Sequence, residues 1–373
     1  MEKKERALVV GGSGWMGSYL VYQLRCCSDE FEKVLNVDVV PPRADLKFLH
    51  AGTRYERCDI RNRREVQAIF RSFRPTVVFH LASIVDLRSV PDPLAEEVNV
   101  KGTMNLLKES SRSVSCRCFV YTSSIDVVGG HLGIQNADES SPYPSNPSNM
   151  YKKSKGEAER QVLAANDPQN LCTVSLRPGH LFGPGDLLPD TVTGFPVAIG
   201  DVTRSKMSFT YIENAALAHL ECFRYMKTQR LLDGNPAFIT DFEINFFVAY
   251  YSITRKKLPL LWIPTEIFWV LLLLIEFVTR IVFSIIPLRF NPIHKITGLN
   301  TASIESGVVL TASNSKARQT FDYLSANRGY VPRVLALKRA SNYYHTGSKA
   351  FFHSDVDLIR PVNISRSREE DEG

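Results

Sequence analysis

VVGGSGWMGSYL, residues 9–20, decides how the first half of this chain is read. It places Gly11, Gly14 and Gly17 between an apolar run, RALVV (6–10), and a helical pattern running from Trp15 to about Arg25. Gly12 to Gly17 also satisfies GxGxxG. Glycine is what such a turn requires: positive φ, close backbone approach to a pyrophosphate, and tight packing of helix on strand. The helix start then offers free N–H groups and a positive dipole end to phosphates. A glycine pattern alone is weak. This one follows a strand, opens a helix, and is followed 21 residues after Gly17 by Asp38, which ends a second run, KVLNVD (33–38). That is the place for a carboxylate accepting from a ribose 2′-hydroxyl. Val39 and Val40 come next, with no arginine immediately set for a 2′-phosphate, so NAD is expected over NADP; Arg43 argues the other way. Asp59 and Ile60, ending the third run RYERCDI (54–60), are expected to flank the adenine, the plain alternative being a polar strand end.

The alternation continues outward. TVVFHLA (76–82), CRCFVYTSS (116–124) and CTVSLRP (172–178) are further strand candidates, with helical patterns between them, one carrying Val66, Ile69, Phe70 and Phe73 on one side. Near-continuous β-branched runs separated by helices predict a parallel sheet buried on both faces. The fold class is therefore α/β, a Rossmann-type doubly wound domain over 1–178 with ligands outside the carboxyl ends of the strands. After Pro178 the pattern loosens into RPGHLFGPGDLLP, as expected of loops around a substrate pocket. A substrate-binding region interleaved with the first domain is expected over 179–257, an apolar segment over 258–290, the remainder of the substrate region over 291–350, and a charged, disordered tail over 351–373.

Composition excludes several classes. The 373 residues are 44% hydrophobic and 23% charged, ordinary for a folded protein, and the net charge of +6 is dispersed. No long basic run suggests nucleic acid. MEKKERALVV lacks the apolar stretch of a signal peptide. The seven cysteines show no CxxC and no metal-site spacing, so no metal is expected. An odd count without a secretion signal fits reduced thiols facing the cytosol. Cys116 and Cys118 alternate along a strand pattern and are read as core.

SNMYKKSKGEAE (148–159) is a helix signature with Tyr151 and Lys155 on one face. A solvated charged face is the bland reading. Against it, a strand ending in Ser123-Ser124 points at the cofactor crevice from a parallel sheet. Serine, tyrosine and lysine converging beside a nicotinamide make a chemically complete set. Free tyrosine titrates near 10, and a neighbouring ammonium with a positive nicotinamide favours its phenolate; a shift of roughly 3 units is worth about 4 kcal/mol. Tyr151 then takes the proton from a substrate hydroxyl as hydride leaves the carbon. Ser124 holds the hydroxyl oxygen, and Lys155 also reaches the nicotinamide ribose.

These residues sit in stretches that carry a family resemblance: VVGGSGWMG, FHLASIVDLRSV, VNVKGT, FVYTSSIDVVG, MYKKSK, VLAANDPQN, LRPGHLFGPGD and FTYIENAALAH, spanning roughly residues 5 to 225. The chain resembles an extended short-chain dehydrogenase/reductase of the 3β-hydroxysteroid dehydrogenase family, including its sterol-4α-carboxylate 3-dehydrogenase (decarboxylating) branch. The resemblance implies Ser124, Tyr151 and Lys155 as catalytic, with Ser124 rather than Ser123 as the serine. It implies a cofactor surface of Gly11, Gly14, Trp15, Met16, Gly17, Asp38, Asp59, Ile60, Ala82, Asn99, Tyr151, Lys155 and Pro178. Asn99 matches a family asparagine linked to the proton relay, a capping or packing role being its alternative. Val10 stands where a threonine is common, and DLLPDTV is only loosely like the family's substrate loop, which leaves the substrate open. AANDPQN and RPGHLFGPGD lean toward the sterol-carboxylate branch; HLASIVD and YTSSIDVVG resemble the dehydrogenase/isomerase branch.

IPTEIFWVLLLLIEFVTRIVFSIIPLRF lies between Pro264 and Pro287 and their flanks, with charge-free runs only at 267–275 and 281–288. That is short of the ~18 apolar residues of a simple spanning helix. On a helix, Glu266, Glu276, Arg280 and Ser284 share one sector of about 80°. Trp262, Trp269 and flanking Arg255, Lys256, Lys257 and Arg289 suit a membrane interface. Membrane association is expected, the alternative being a buried helix or a lid over a sterol pocket. The combined expectation is a membrane-associated enzyme, on the endoplasmic reticulum with its catalytic domain facing the cytosol, that oxidises the 3β-hydroxyl of a sterol or steroid with NAD; a homodimer is compatible with the resemblance. The alternatives are a 3β-hydroxysteroid dehydrogenase/Δ5-isomerase, a nucleotide-sugar epimerase or dehydratase, and a non-catalytic membrane-anchored NAD-binding scaffold.

Overall fold

The computed structural model describes residues 3–85, 93–130, 133–186, 197–199, 205–229, 232–257, 261–263 and 309–346, and five further helical positions, Ile267, Val270, Leu274, Phe277 and Val278. In chain order the strands are β1 (Glu5–Val10), β2 (Phe31–Asp38), β3 (Arg54–Arg57), β4 (Val77–His80), β5 (Cys118–Thr122), β6 (Ile134–Ala137), β7 (Cys172–Pro178), β8 (His180–Phe182), β9 (Val197–Ile199), β10 (Lys206–Tyr211), β11 (Asn235–Ile239), β12 (Phe242–Ile244), β13 (Leu261–Ile263) and β14 (Val309–Ala312). The helices that position the site are α1 (Trp15–Cys26), α2 (Arg63–Phe73), α3 (Thr103–Arg112), α4 (Met150–Ala164), α5 (Ile212–Thr228), α6 (Phe246–Thr254), α7 (Ser315–Phe321) and α8 (Arg333–Thr346).

The main sheet has seven strands in the order β11-β7-β5-β4-β1-β2-β3, and every neighbouring pair is parallel. Alternate side chains feed two cores. Ala7, Val9, Phe79, Val120 and Val174 face α1 and α5, while Leu8, Val10, Val78 and Phe119 face α2, α3 and α4. Helices on both faces explain why β4, β5 and β7 are buried along their whole length and why β4 and β5 read as near-continuous apolar runs, while β7 alternates apolar residues with the buried Thr173, Ser175 and Arg177. Strand order reverses between β2 and β4 about β1, and the crevice at that reversal is where a doubly wound sheet takes a ligand.

A second sheet, β12-β10-β14-β6, with β8 also paired to β10, draws its strands from both sides of residue 178. The seventh strand of the main sheet, β11, also comes from beyond that point. Sequence reading did not see it, because NPAFI is short and contains Pro236. Its edge position tolerates a proline, which lacks the N–H of an inner ladder. The strands near the site are shorter than their apolar runs: Cys116 and Arg117 precede β5, while Ser123 and Ser124 follow it. All seven cysteines are free, and only Cys26 is exposed.

Among the described residues no helix is long and apolar enough to cross a membrane. Most of 258–290, most of 291–350 before β14, and the tail 351–373 lie outside the described residues.

Candidate active site

The glycine loop closes over the end of β1. Gly11 has φ of +82°, and a Cβ there would collide with the Ala82 backbone; a Cβ at Gly17 would collide with the Gly11 carbonyl. Ala82, just past β4, donates its N–H to Val10 O at 3.0 Å and so backs the loop. Gly14 is the N-cap of α1 and brings no capping side chain, which leaves first-turn N–H groups for an anion. Trp15 is committed elsewhere: its indole N–H donates to Pro184 O at 2.7 Å, where the Tyr19 hydroxyl also donates at 3.0 Å. Met16 is buried under the loop.

Asp38 ends β2 beside this loop, with Oδ2 accepting from Ser13 N at 3.2 Å and Oδ1 from Val39 N at 2.7 Å. Burial raises its pKa, and these backbone donors work against the rise. Arg43 is drawn onto Asp45, at 3.1 and 2.7 Å, with a longer bond to Gly185 O at 3.4 Å. Farther along the crevice, the Asp59 carboxylate is gripped by Arg61 at 2.7 Å, whose side-chain hydrogen bonds hold it below its ordinary pKa. Ile60 is buried against Gly102, where a Cβ would come within 2.6 Å of its side chain.

Tyr151 and Lys155 come from the first turns of α4, which Asn149 caps by accepting from Lys152 N at 2.9 Å. Lys155 is only 1% exposed. Its Nζ donates to Thr122 O at 2.5 Å and stands 4.4 Å from the centre of the Tyr121 ring. Burial pushes the Lys155 ammonium down to about 7, with Glu159 opposing. Ser124, two residues beyond Thr122, caps the short 3-10 turn Ile125–Val127. Its Oγ accepts from Asp126 N at 3.2 Å and donates to Asp126 Oδ2 at 2.9 Å. The serine, the tyrosine-bearing turn and the lysine thus meet at the carboxyl end of β5, beside the glycine loop. Pro178 ends β7 next to them, and Ser123 N bonds Leu176 O at 2.7 Å across that pair.

Asn99 lies in π-helical turns, Glu97–Gly102, ahead of α3. Its amide accepts from Ile84 N at 2.7 Å and donates to Ile84 O and to Ser154 Oγ, both at 2.9 Å. Ser154 Oγ in turn bonds the Tyr151 carbonyl at 3.1 Å. The asparagine ties the loop after β4 to the tyrosine's helix. Two buried hydroxyls at the carboxyl ends of β4 and β5, Ser83 Oγ and Ser123 Oγ, have no hydrogen-bond partner among the described residues. Orphaned polar atoms beside a glycine cradle fit a polar ligand such as a dinucleotide. Among the described residues no group of three or more His, Cys, Asp or Glu is placed to hold a metal.

Sequence reading missed the support beneath the site. Glu159, one turn beyond Lys155, was read as part of a charged run, but is 0% exposed. It accepts from Arg177 at 2.6 Å, from Ser175 Oγ at 2.6 Å and from the Tyr143 hydroxyl at 2.6 Å. Asp126 and Lys152 were missed as well, the first hidden in a turn and the second in the same lysine run. The one available signal was the i,i+4 placement of Lys155 and Glu159 on a common helix face.

The model of the 3-beta hydroxysteroid dehydrogenase/isomerase family matches residues 8–256. The chain is 34% identical, over 65% of its length and 71% of the relative's, to a decarboxylating sterol-4-alpha-carboxylate 3-dehydrogenase of Schizosaccharomyces pombe. It is 32% identical, over 97% of its length and 94% of the relative's, to short-chain dehydrogenase/reductase family 42E member 1 of Danio rerio. Among solved structures it resembles a dTDP-glucose 4,6-dehydratase of Bacillus anthracis in complex with NAD, with a TM-score of 0.66 and 15% identity over 93% of this chain and 98% of that one. That last likeness speaks to the fold alone.

Proposed function

This chain belongs to the 3-beta hydroxysteroid dehydrogenase/isomerase family, and from that membership we propose that it oxidises the 3β-hydroxyl of a sterol 4α-carboxylate, with NAD as cofactor and loss of CO₂ after oxidation. The observation that carries the reading is Lys155, buried and fixed on Thr122 O, two residues before Ser124 and one helical turn from Tyr151. The sterol carboxylate itself is suggested by the name of the S. pombe relative.

The roles follow from the positions. Ser124 holds the substrate oxygen, and Tyr151 takes its proton. Lys155 favours the phenolate and reaches toward the nicotinamide ribose. Glycine loop and Asp38 hold the pyrophosphate and the adenosine ribose. The bound nicotinamide supplies the hydride acceptor. Once C3 is a carbonyl, the substrate is a β-keto acid, and the carbonyl accepts the electrons of the breaking C4–carboxylate bond. NAD over NADP is supported by Asp38, which would repel a 2′-phosphate, and by Arg43, whose guanidinium is engaged with Asp45.

A membrane setting, on the endoplasmic reticulum facing the cytosol, belongs to the same proposal. Ile267, Val270, Leu274, Phe277 and Val278 are helical and 53–63% exposed. At 100° per residue they fall within an arc of about 100°. An exposed apolar face of this kind suits the lipid interface, and a sterol dissolved in the bilayer would enter beside it.

The test is incubation of purified protein with NAD⁺ and a panel of 3β-hydroxysterols, with nucleotide sugars as the contrasting substrates. NADH formed from sterols alone is the expected result. Turnover of a nucleotide sugar and none of any sterol would overturn the reading.

A further inference from the structure

Beside Ser124 lies a cation that the reaction so far leaves unused. Lys152 follows Tyr151 on α4, about 100° farther round the helix, and its side chain is only 3% exposed. Its Nζ stands 3.9 Å from Asp126 Oδ1, while Asp126 Oδ2 accepts the Ser124 hydroxyl at 2.9 Å. One carboxylate therefore spans the gap between the substrate-holding serine and a buried ammonium. That carboxylate is the most open member of the group, with 24% of its side chain exposed. The turn that carries it continues into Gly129, where a Cβ would come 3.9 Å from Lys152 Nζ and 2.9 Å from Leu310 Cδ1, so the turn is packed there, and into Gly130, where a Cβ would meet no described residue within 4 Å. The arrangement is complementary to a carboxylate next to a hydroxyl, approached from the partly exposed side of Asp126.

We propose that Lys152 is a specificity-determining residue that reads a carboxylate on the carbon adjacent to the reacting carbinol, with Asp126 in its place when substrate is absent. The inference rests on the functional reading above. In a 3β-hydroxy-4α-carboxylate the two groups sit on neighbouring carbons, so when Ser124 holds the hydroxyl the carboxylate falls within reach of the groups around Asp126. Asp126 alone would repel it. The Lys152 ammonium between the two anions reverses that sign, and a charge-assisted hydrogen bond from an ammonium to a carboxylate is among the stronger kinds. The interaction holds the carboxylate during oxidation; it makes and breaks no covalent bond.

The experiment compares kcat/KM for a 4α-carboxy-3β-hydroxysterol with kcat/KM for the same sterol lacking the carboxylate, in wild type, Lys152→Met and Lys152→Arg. NAD titration of each variant verifies its fold. Lys152→Met should lower the preference ratio by about 10-fold or more, the scale of one hydrogen bond to a charged group, mainly through KM. Lys152→Arg should restore most of it, and Asp126→Asn should raise it. Equal losses on both sterols in Lys152→Met, or a preference unchanged from wild type, would overturn the inference while the functional reading stands. A wild type that oxidises neither sterol removes the functional reading, and this inference with it.

Discussion

Tyr151→Phe deletes one oxygen and keeps the ring, so it isolates the proposed acid/base role. Turnover should fall by about 10²-fold or more, the usual scale for a positioned proton acceptor, with NAD affinity near wild type because the glycine loop and Asp38 are untouched. Lys155→Ala should lower turnover and weaken NAD together. Steady-state rates beside NAD titration separate the two variants, and near-normal turnover in Tyr151→Phe would move the search to another acid/base group. His180 is no ready substitute: burial lowers it to about 4, and its Nε2 is engaged by the Tyr250 hydroxyl at 2.6 Å. Asp38→Arg should shift preference toward NADP, and a wild type that uses both cofactors equally would contradict the role given to Asp38. At this scale the serine, tyrosine and lysine were legible because each is fixed by a local pattern, the strand end or the helix spacing. Glu159 was not, because its partner Arg177 lies 18 residues away on β7, and a charged residue gives no local sign of a distant counter-ion.

The Glu159–Arg177 pair is what locks α4 to β7 under the site, with side chains 0% and 2% exposed. Arg177→Met would leave a buried carboxylate without its cation, a change that typically costs about 3–5 kcal/mol. Thermal unfolding should register it as a lowered Tm. The double variant Glu159→Met/Arg177→Met should recover much of the loss, since well-packed apolar side chains often replace a buried pair at little cost. No recovery would mean that the pair also specifies the local packing. The apolar helix offers a second prediction at the scale of an element. Replacing Ile267, Leu274 and Phe277 with glutamine should release the protein from membranes under alkaline carbonate extraction, with NAD affinity unchanged. Wild-type protein found wholly in the soluble fraction would sink the membrane assignment. The inner strands of the main sheet could be read from sequence because burial on both faces draws near-continuous apolar residues into them and they alternate with helical patterns. The second sheet could not, since its strands of three to six residues are scattered from 134 to 312 and carry no period long enough to detect.

Across the whole molecule, three buried histidines and the half-buried His180 set an acid limit. Burial lowers His50, His180 and His219 to about 4 and His80 to about 3, from an ordinary 6.5. Well above pH 6.5 neither the folded nor the unfolded rings are protonated, and no difference arises. As pH falls from 6.5 toward 4 the unfolded chain takes up protons that the folded rings refuse, so stability drops by about 1.4 kcal/mol per pH unit for each ring. Asp241, raised to about 6 by burial, and Asp38, also raised by burial, work the other way over part of this window, two carboxyls against four imidazoles. Tm should therefore decline steeply between pH 6.5 and 4, and a flat profile would contradict the burial of these rings. Two of them brace the site itself: His219 accepts from Thr122 Oγ1 at 2.7 Å with its Nδ1–H on Ala215 O, and His80 bonds Thr103 at 2.8 Å. Acid should then erase sterol oxidation along with the fold.

The most direct measurement of the central claim is the stoichiometry of NADH and CO₂ released from a 4α-carboxy-3β-hydroxysterol by the purified protein with NAD⁺. One CO₂ for each NADH, both abolished in Tyr151→Phe, is the predicted result. NADH without CO₂, or no NADH from this substrate while another class of alcohol is oxidised, would contradict it.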